Sequence, residues 1–308
     1  MFKKALPFFI RVITPLHAGT GQELGVVDLP IQRERHTGFP KVEASGLKGS
    51  IREVFEEQDK EIQVGEKKIK VNDKDAISLI FGPDKEVSYA GALGFTDARI
   101  LLFPIKSMKG VYAYITCRKV LRRFKEEIEI TNRKVPFEIA ETNADTLIGS
   151  GDAEVLVTES KIILEEYTFD AKVDESIKSI GEWLGQRIGI NDLAQRIVVL
   201  PDDDFKDFVH LSTEVTTRIK INNETGTVQE GALFTEEYLP AETILYSLAL
   251  ASPIFKEKDE EKGIFKQNGK AEEDLVIEFF KRGMPEVMQL GGNATIGKGI
   301  VKIKLWED

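Results

Sequence analysis

Cysteine is almost absent: Cys117 is the only one in 308 residues. One thiol can form neither a disulfide within the chain nor a cysteine-built zinc site, which points to a reducing, cytoplasmic setting. Long apolar runs are missing as well. The best stretch, Ile244–Ala251, is strand-sized, well short of the ~20 residues of a membrane span, so no membrane partner is expected. The first seven residues, MFKKALP, contain no signal-peptide-like apolar segment, and Pro7 interrupts them. Glycine (25) and proline (11) are too few for collagen-like or low-complexity chains. What is present is ordinary for a folded protein: 42% apolar residues to build a core and 31% charged residues to keep the surface soluble. The length fits two domains of roughly 150 residues, or one domain with large insertions. The net charge of −10, taken alone, argues against a free-standing nucleic-acid binder.

That average conceals segregation. Residues 104–125 hold seven Lys and Arg and no acid; 28–52 hold five against three acids; 284–304 hold three against one. Together these stretches carry +11, leaving −21 for the rest of the chain. A chain divided in this way can offer a basic groove to a polyanion while the remainder stays acidic. The basic run 118–125 is equally compatible with the solvated face of a helix.

Apolar spacing gives a first strand over 8–14, closed by Pro15, then a long irregular segment over 15–44, a length usually reserved for function. Ser45 is placed to cap a helix over 46–58, where Leu47, Ile51, Val54 and Phe55 share a face. The polar stretch 59–73 reads as a surface insertion, followed by a short helix at 75–81. Strands are expected at 91–103 and 111–116, a basic helix at 118–129, and loop over 130–152. Alternation over 153–169, a helix over 174–188 and a short helix after Pro201 come next. Strands at 213–221 and 232–238 flank the turn Asn222-Asn223-Glu224-Thr225-Gly226, which predicts a projecting hairpin. A strand at 242–251, a charged linker at 256–270, a helix at 271–282 and a strand at 299–306 complete an α+β chain.

Four stretches carry candidate chemistry. Residues 291–299 (GGNATIGKG) fit seven of the eight positions of a phosphate-cradling nucleotide loop. Gly299 supplies no hydroxyl for magnesium, and a strand follows instead of a helix, so nucleotide hydrolysis is rejected. Four glycines in nine residues still allow amides to approach a phosphate backbone closely, or make a tight connector. The helix opening at Ser45 carries Gly46, Gly49, Lys48 and Arg52; free amides and two cations four residues apart form an anion site, or an ordinary amphipathic helix. The segment 15–44 gathers His17, Glu23, Asp28, Arg33, Glu34, Arg35 and His36, side chains suited to handling protons or a divalent ion around a phosphodiester, with no recognised metal spacing. Asp202, Asp203 and Asp204 read as the acidic first turn of a helix rather than as metal ligands, and Trp183 and Trp306 as core.

Residues 17–40 (HAGTGQELGVVDLPIQRERHTGFP), 45–52, 217–238 and 291–299 together strongly resemble the RAMP superfamily of CRISPR proteins, specifically the backbone subunits of type III-B Cmr effector complexes. The likeness runs nearly end to end and is weakest at 59–73, 130–150 and 256–270. It implies one domain over 1–308 with a ferredoxin-like (RRM-type) palm, its core at about 1–58, 91–129 and 271–308. Insertions would then fill about 59–90 and 130–270, with a β-hairpin thumb at 213–238. It also implies copies stacked along a guide crRNA beside other Cmr subunits, and target RNA cut at regular intervals with a divalent metal, Mg2+ or Mn2+. Asp28 corresponds to the family's key aspartate and would be the catalytic residue and metal ligand, with His17, Glu237 and Tyr238 around the scissile phosphate. Lys48, Arg52, Arg33, Arg35, Lys298 and the loop residues Gly291, Gly292, Asn293 and Gly297 are the candidates for gripping RNA. A non-catalytic RNA-binding scaffold is the alternative.

Overall fold

In a computed structural model, residues 2–22, 25–84, 89–139, 145–219, 221, 226–228 and 233–307 are described. The first strand, Lys4–Val12, is apolar on both sides, and the packing explains why. Phe8 turns toward the helices Ala44–Glu57 and Glu272–Gly283: its ring meets Phe280 at 6.1 Å, and Phe280 stacks on Phe55. Phe9 turns the other way, onto Phe124 of the helix Arg118–Glu129 and onto Trp306. A strand covered on both faces has no reason to alternate.

Four strands run antiparallel in the order Ile300–Leu305, Lys4–Val12, Ile244–Ala251, Ala98–Lys106. The helix Ala44–Glu57 joins Lys4–Val12 to Ala98–Lys106 in chain order, and Glu272–Gly283 joins Ile244–Ala251 to Ile300–Leu305. The sequence reading grouped residues 244–251 with the insertion 130–270; in the fold they form a central strand. Beyond Ala98–Lys106 the same mixed sheet continues through Tyr112–Cys117, Ile197–Leu200 (parallel to it), Thr146–Ile148 and Tyr167–Val173. The strand Ile197–Leu200 escaped the sequence reading because four consecutive buried apolar residues have no period.

Two local expectations change. The polar stretch 59–73 is paired, as the hairpin Glu61–Val64/Lys67–Lys70 turning at Gly65, whose φ is +59°. The helix Ala44–Glu57 starts before Ser45: Glu43 is its N-cap, and the Ala44 amide is satisfied by Asp97 Oδ1 at 2.9 Å. The predicted hairpin is present as Glu214–Arg218 paired with Phe234–Tyr238, from Glu214↔Tyr238 to Arg218↔Phe234. The turn residues 222–225 lie outside the described residues, as does Glu23. Among the described residues no helix is long and apolar enough to cross a membrane.

Candidate functional site

Three segments distant in sequence meet at the foot of the hairpin. The loop after the first strand is bonded to the hairpin's second strand: Leu16 and Leu239 exchange backbone bonds at 2.9 Å, and Leu29 pairs in parallel with Glu236. The glycine loop closes from the other side. The Gly292 amide donates to the His17 carbonyl at 2.9 Å, and the Gly299 amide to Pro15. Gly291 has φ +77°, and a Cβ there would sit 2.3 Å from the His17 carbonyl oxygen, so only glycine fits.

Strand alternation then separates two neighbouring acids. Glu236 shares a face with Tyr238. Its Oε1 accepts from Asn293 Nδ2 at 2.5 Å and lies 3.5 Å from His17 Nε2; its Oε2 accepts from the Tyr238 hydroxyl and pairs with Arg218, both at 2.7 Å. Burial would raise this carboxyl, but the Tyr238 and Asn293 hydrogen bonds and the nearby His17 and Arg218 more than offset it, leaving the pKa below the ordinary glutamate value. Tyr238 is fully buried; its ring meets His17 edge-on at 5.6 Å and lies under the Lys298 ammonium at 4.8 Å. His17 Nδ1 lies 2.7 Å from the Glu237 carbonyl, which makes Nδ1 the donor and turns Nε2 toward Glu236.

The carboxylate of Glu237 instead faces inward. It receives Arg33 Nη2 at 2.5 Å, the Thr213 hydroxyl at 2.7 Å and the Ile31 amide at 3.0 Å. Burial again acts first, raising its pKa, and these partners bring it below the ordinary value. Glu237 is therefore fully occupied inside the fold. Of the two adjacent acids, Glu236 is the one that touches His17 and Tyr238. The sequence reading names Glu237 with Tyr238; the register of Phe234–Tyr238 puts Glu236, not Glu237, on the face shared with Tyr238.

Asp28 stands apart from this cluster. Its Oδ2 accepts from the Thr235 amide at 2.7 Å and hydroxyl at 2.8 Å, while its own amide donates to Thr235 Oγ1 at 3.0 Å. The Thr235 backbone bond, then the hydroxyl, lower its pKa, and the side chain is exposed. Among the described residues no hydrogen bond or ion pair joins Asp28 to His17, Glu236 or Glu237.

Several expected RNA contacts are committed elsewhere. Arg33 also donates to the Gly38 and Val209 carbonyls, and Arg52 binds Glu56, Asp84 and the Gly82 carbonyl. The Gly297 amide is used by Ala294, as the Gly292 amide is by His17. In the basic helix, Arg118 is buried, Arg123 binds the buried Glu34 at 2.7 Å, and Lys125 pairs with Glu138. Three expected cations make no side-chain hydrogen bond or ion pair among the described residues: exposed Arg35, half-buried Lys48, and Lys298, which sits over the Tyr238 ring. Burial, then the nearby Arg52 charge, lowers the Lys48 pKa. Beside Lys48, Gly46 and Gly49 face open space: a Cβ on either would meet nothing within 4 Å.

The donor set does not make a protein-built metal cage. Among the described residues no three His, Cys, Asp or Glu side chains converge in that way. Asp28 alone fits an ion shared with phosphate oxygens, the usual form of magnesium binding with one or two carboxylates.

The RAMP superfamily model matches residues 9–302. The chain is 41% identical, over 99% of its length and 96% of the relative's, to the CRISPR system Cmr endoribonuclease Cmr4 of Pyrococcus furiosus. Its fold is similar to a crystal structure of oligomeric Cmr4 from Pyrococcus furiosus, with a TM-score of 0.72 and 32% identity, covering 99% of this chain and 98% of that one. It is also similar to a chain of a type III-B Cmr-beta complex bound to cognate target RNA, with a TM-score of 0.70 and 25% identity over 99% and 98% of the two chains. With the hairpin foot, the glycine loop and the loop after the first strand tied together in one structure, the chain belongs to the RAMP superfamily and, within it, to the Cmr4 family.

Proposed function

We propose that this chain is the repeating backbone subunit of a cytoplasmic, RNA-guided CRISPR complex, where it holds guide crRNA beside further copies of itself and other Cmr subunits. In that setting it cuts complementary target RNA at regular intervals. The observation that carries the reading is Asp28, an exposed carboxylate fixed by Thr235 at the root of the hairpin. The four antiparallel strands with their two joining helices read as the ferredoxin-like palm of a single domain, with Ile244–Ala251 included in it. The hairpin Glu214–Arg218/Phe234–Tyr238 reads as the thumb.

The chemistry follows from position. A nucleotide displaced from an A-form duplex can bring its 2′-oxygen into line with the adjacent phosphorus, and positioning alone accelerates such intramolecular attack by several orders of magnitude. Asp28 has a lowered pKa, so it acts as a constant negative charge that orients the 2′-hydroxyl rather than as a proton shuttle near neutral pH. A divalent ion held by Asp28 would supply positive charge to the phosphoryl oxygens. Lys298, held over the Tyr238 ring beside the site, supplies charge from the chain itself. The products expected are a cyclic phosphate and a free 5′-hydroxyl.

Glu236, in place of Glu237, takes the role beside His17 and Tyr238, and the Arg33–Glu237 pair supports the loop from within. Lys48, with Gly46 and Gly49 beside it, and Arg35 are the retained phosphate contacts; backbone contacts suit a guide whose sequence varies. A purely structural scaffold would keep those contacts and have no use for Asp28. The two readings separate in a reconstituted complex: Asp28→Ala should bind target RNA normally and cut it at least about a hundredfold more slowly, with EDTA slowing the wild type. Normal cutting by Asp28→Ala would leave only the scaffold reading.

A further inference from the structure

At the end of the sheet remote from His17, the start of Lys4–Val12, the loop after Arg118–Glu129 and the end of Ile300–Leu305 border a groove of about 770 Å3. The strand Lys4–Val12 separates groove from catalytic loop by about 27 Å. Among the described residues the groove is lined by Lys3, Lys4, Arg133, Lys134, Arg187 and Lys281, against a single carboxylate, Glu307. Lys4 pairs with Asp274 and Lys281 with Glu307, whereas the exposed side chains of Lys3 and Lys134 make no hydrogen bond or ion pair among the described residues. So dense a positive patch in a chain of net charge −10 calls for an anionic partner.

Two tryptophans beside the groove are engaged by an arginine. Arg187 lies 3.9 Å from the Trp183 ring centre and 5.0 Å from that of Trp306, and Trp306 is 5% exposed. Among the described residues that leaves the partly exposed Phe2 as the one lining ring not engaged in this way, whereas sites for single-stranded nucleic acid stack successive bases on several rings. Lys3 and Lys134, unpaired among the described residues, can each pair with a carboxylate.

The same chain carries the complement elsewhere. Asp203, Asp204 and Asp207, in the helix Asp202–Leu211, make no ion pair among the described residues. Burial, then the charges of Asp207 and Asp203, raise the pKa of Asp204, a strain that an incoming cation would relieve. This helix starts beside the N-terminus of Arg118–Glu129, where the Lys119 amide meets Asp202 Oδ1 at 3.2 Å. The groove lies at the other end of that 12-residue helix, about 18 Å away. The two patches cannot reach each other within one chain. Complementary patches at separate places on one surface generate head-to-tail contacts that repeat openly.

We propose that the basic groove is one half of a copy-to-copy contact, and that the acidic turn holding Asp203, Asp204 and Asp207 of a second copy is its occupant. The inference rests on the self-assembly in the proposed function and names the surfaces that would carry it. Sedimentation velocity of the full chain over a concentration series, at low and high salt, tests it. Lys3→Glu with Lys134→Glu should raise the self-dissociation constant at least about tenfold at low salt without lowering the melting temperature. Mixing that variant with Asp203→Lys/Asp207→Lys should restore association. Unchanged sedimentation of the groove variant would overturn this contact and leave self-assembly standing. A wild type that stays monomeric throughout would overturn both. A groove variant that loses guide-RNA binding and keeps self-association would assign the groove to RNA and overturn the inference.

Discussion

Two adjacent glutamates at the hairpin foot do different work because they point to opposite sides of one strand. Glu237 neutralises Arg33 inside the fold, and removing one partner of such a pair leaves the other charge buried and unpaired. Glu237→Ala should therefore cost about 3 kcal/mol of stability, read by chemical denaturation. Glu236→Gln should keep most of the stability and lose cleavage, since it alters the group that His17, Tyr238 and Asn293 share. Equal stability losses in the two variants would contradict the assignment. Both carboxyls lie below the ordinary glutamate value of 4.5 in the fold. Their contribution to stability is thus present above that value and is lost as pH falls through the lower folded value. The melting temperature should drop on acidification below about 4.5, and Glu237→Gln should flatten that drop. Asp28 and His17 were legible from the sequence as loop residues of the right chemistry. The choice of Glu236 was not, because it depends on which face of Phe234–Tyr238 meets His17 and Asn293, both outside the hairpin.

At the scale of elements, the glycines separate into two kinds. Gly291, at φ +77°, is required by the fold, because the loop passes against His17. Gly291→Ala should push His17 off the Glu237 carbonyl and cut cleavage sharply, with a lowered melting temperature. Gly46 and Gly49 face open space in the helix Ala44–Glu57, where alanine is the better helix former by about 0.8–1 kcal/mol. Gly49→Ala should raise stability and weaken guide-RNA binding if a phosphate backbone passes close to that helix. A stabilised variant with unchanged RNA affinity would remove this helix from the interface. Most helices and strands were legible from their apolar spacing, and the basic helix Arg118–Glu129 matched residue for residue. What spacing could not reveal is which cations are free. Arg33, Arg52 and Arg123 look available in sequence and find partners 204, 30 and 89 residues away.

At the scale of the whole molecule, the mixed sheet sets the distances. One end carries Asp28, His17 and the hairpin; the other carries the basic groove. The net charge of −10 is no obstacle to holding RNA, because exposed Arg35 and half-buried Lys48 keep no acidic partner among the described residues. A repeating subunit with one cutting site per copy predicts cuts at a constant spacing. The most direct test is cleavage mapping in the reconstituted complex, on a complementary RNA carrying a single 2′-deoxy nucleotide at one cut position. The attacking 2′-hydroxyl proposed here predicts that this one cut disappears, while the remaining cuts persist at the same spacing and end in cyclic phosphates. A cut that persists at the deoxy position would contradict it.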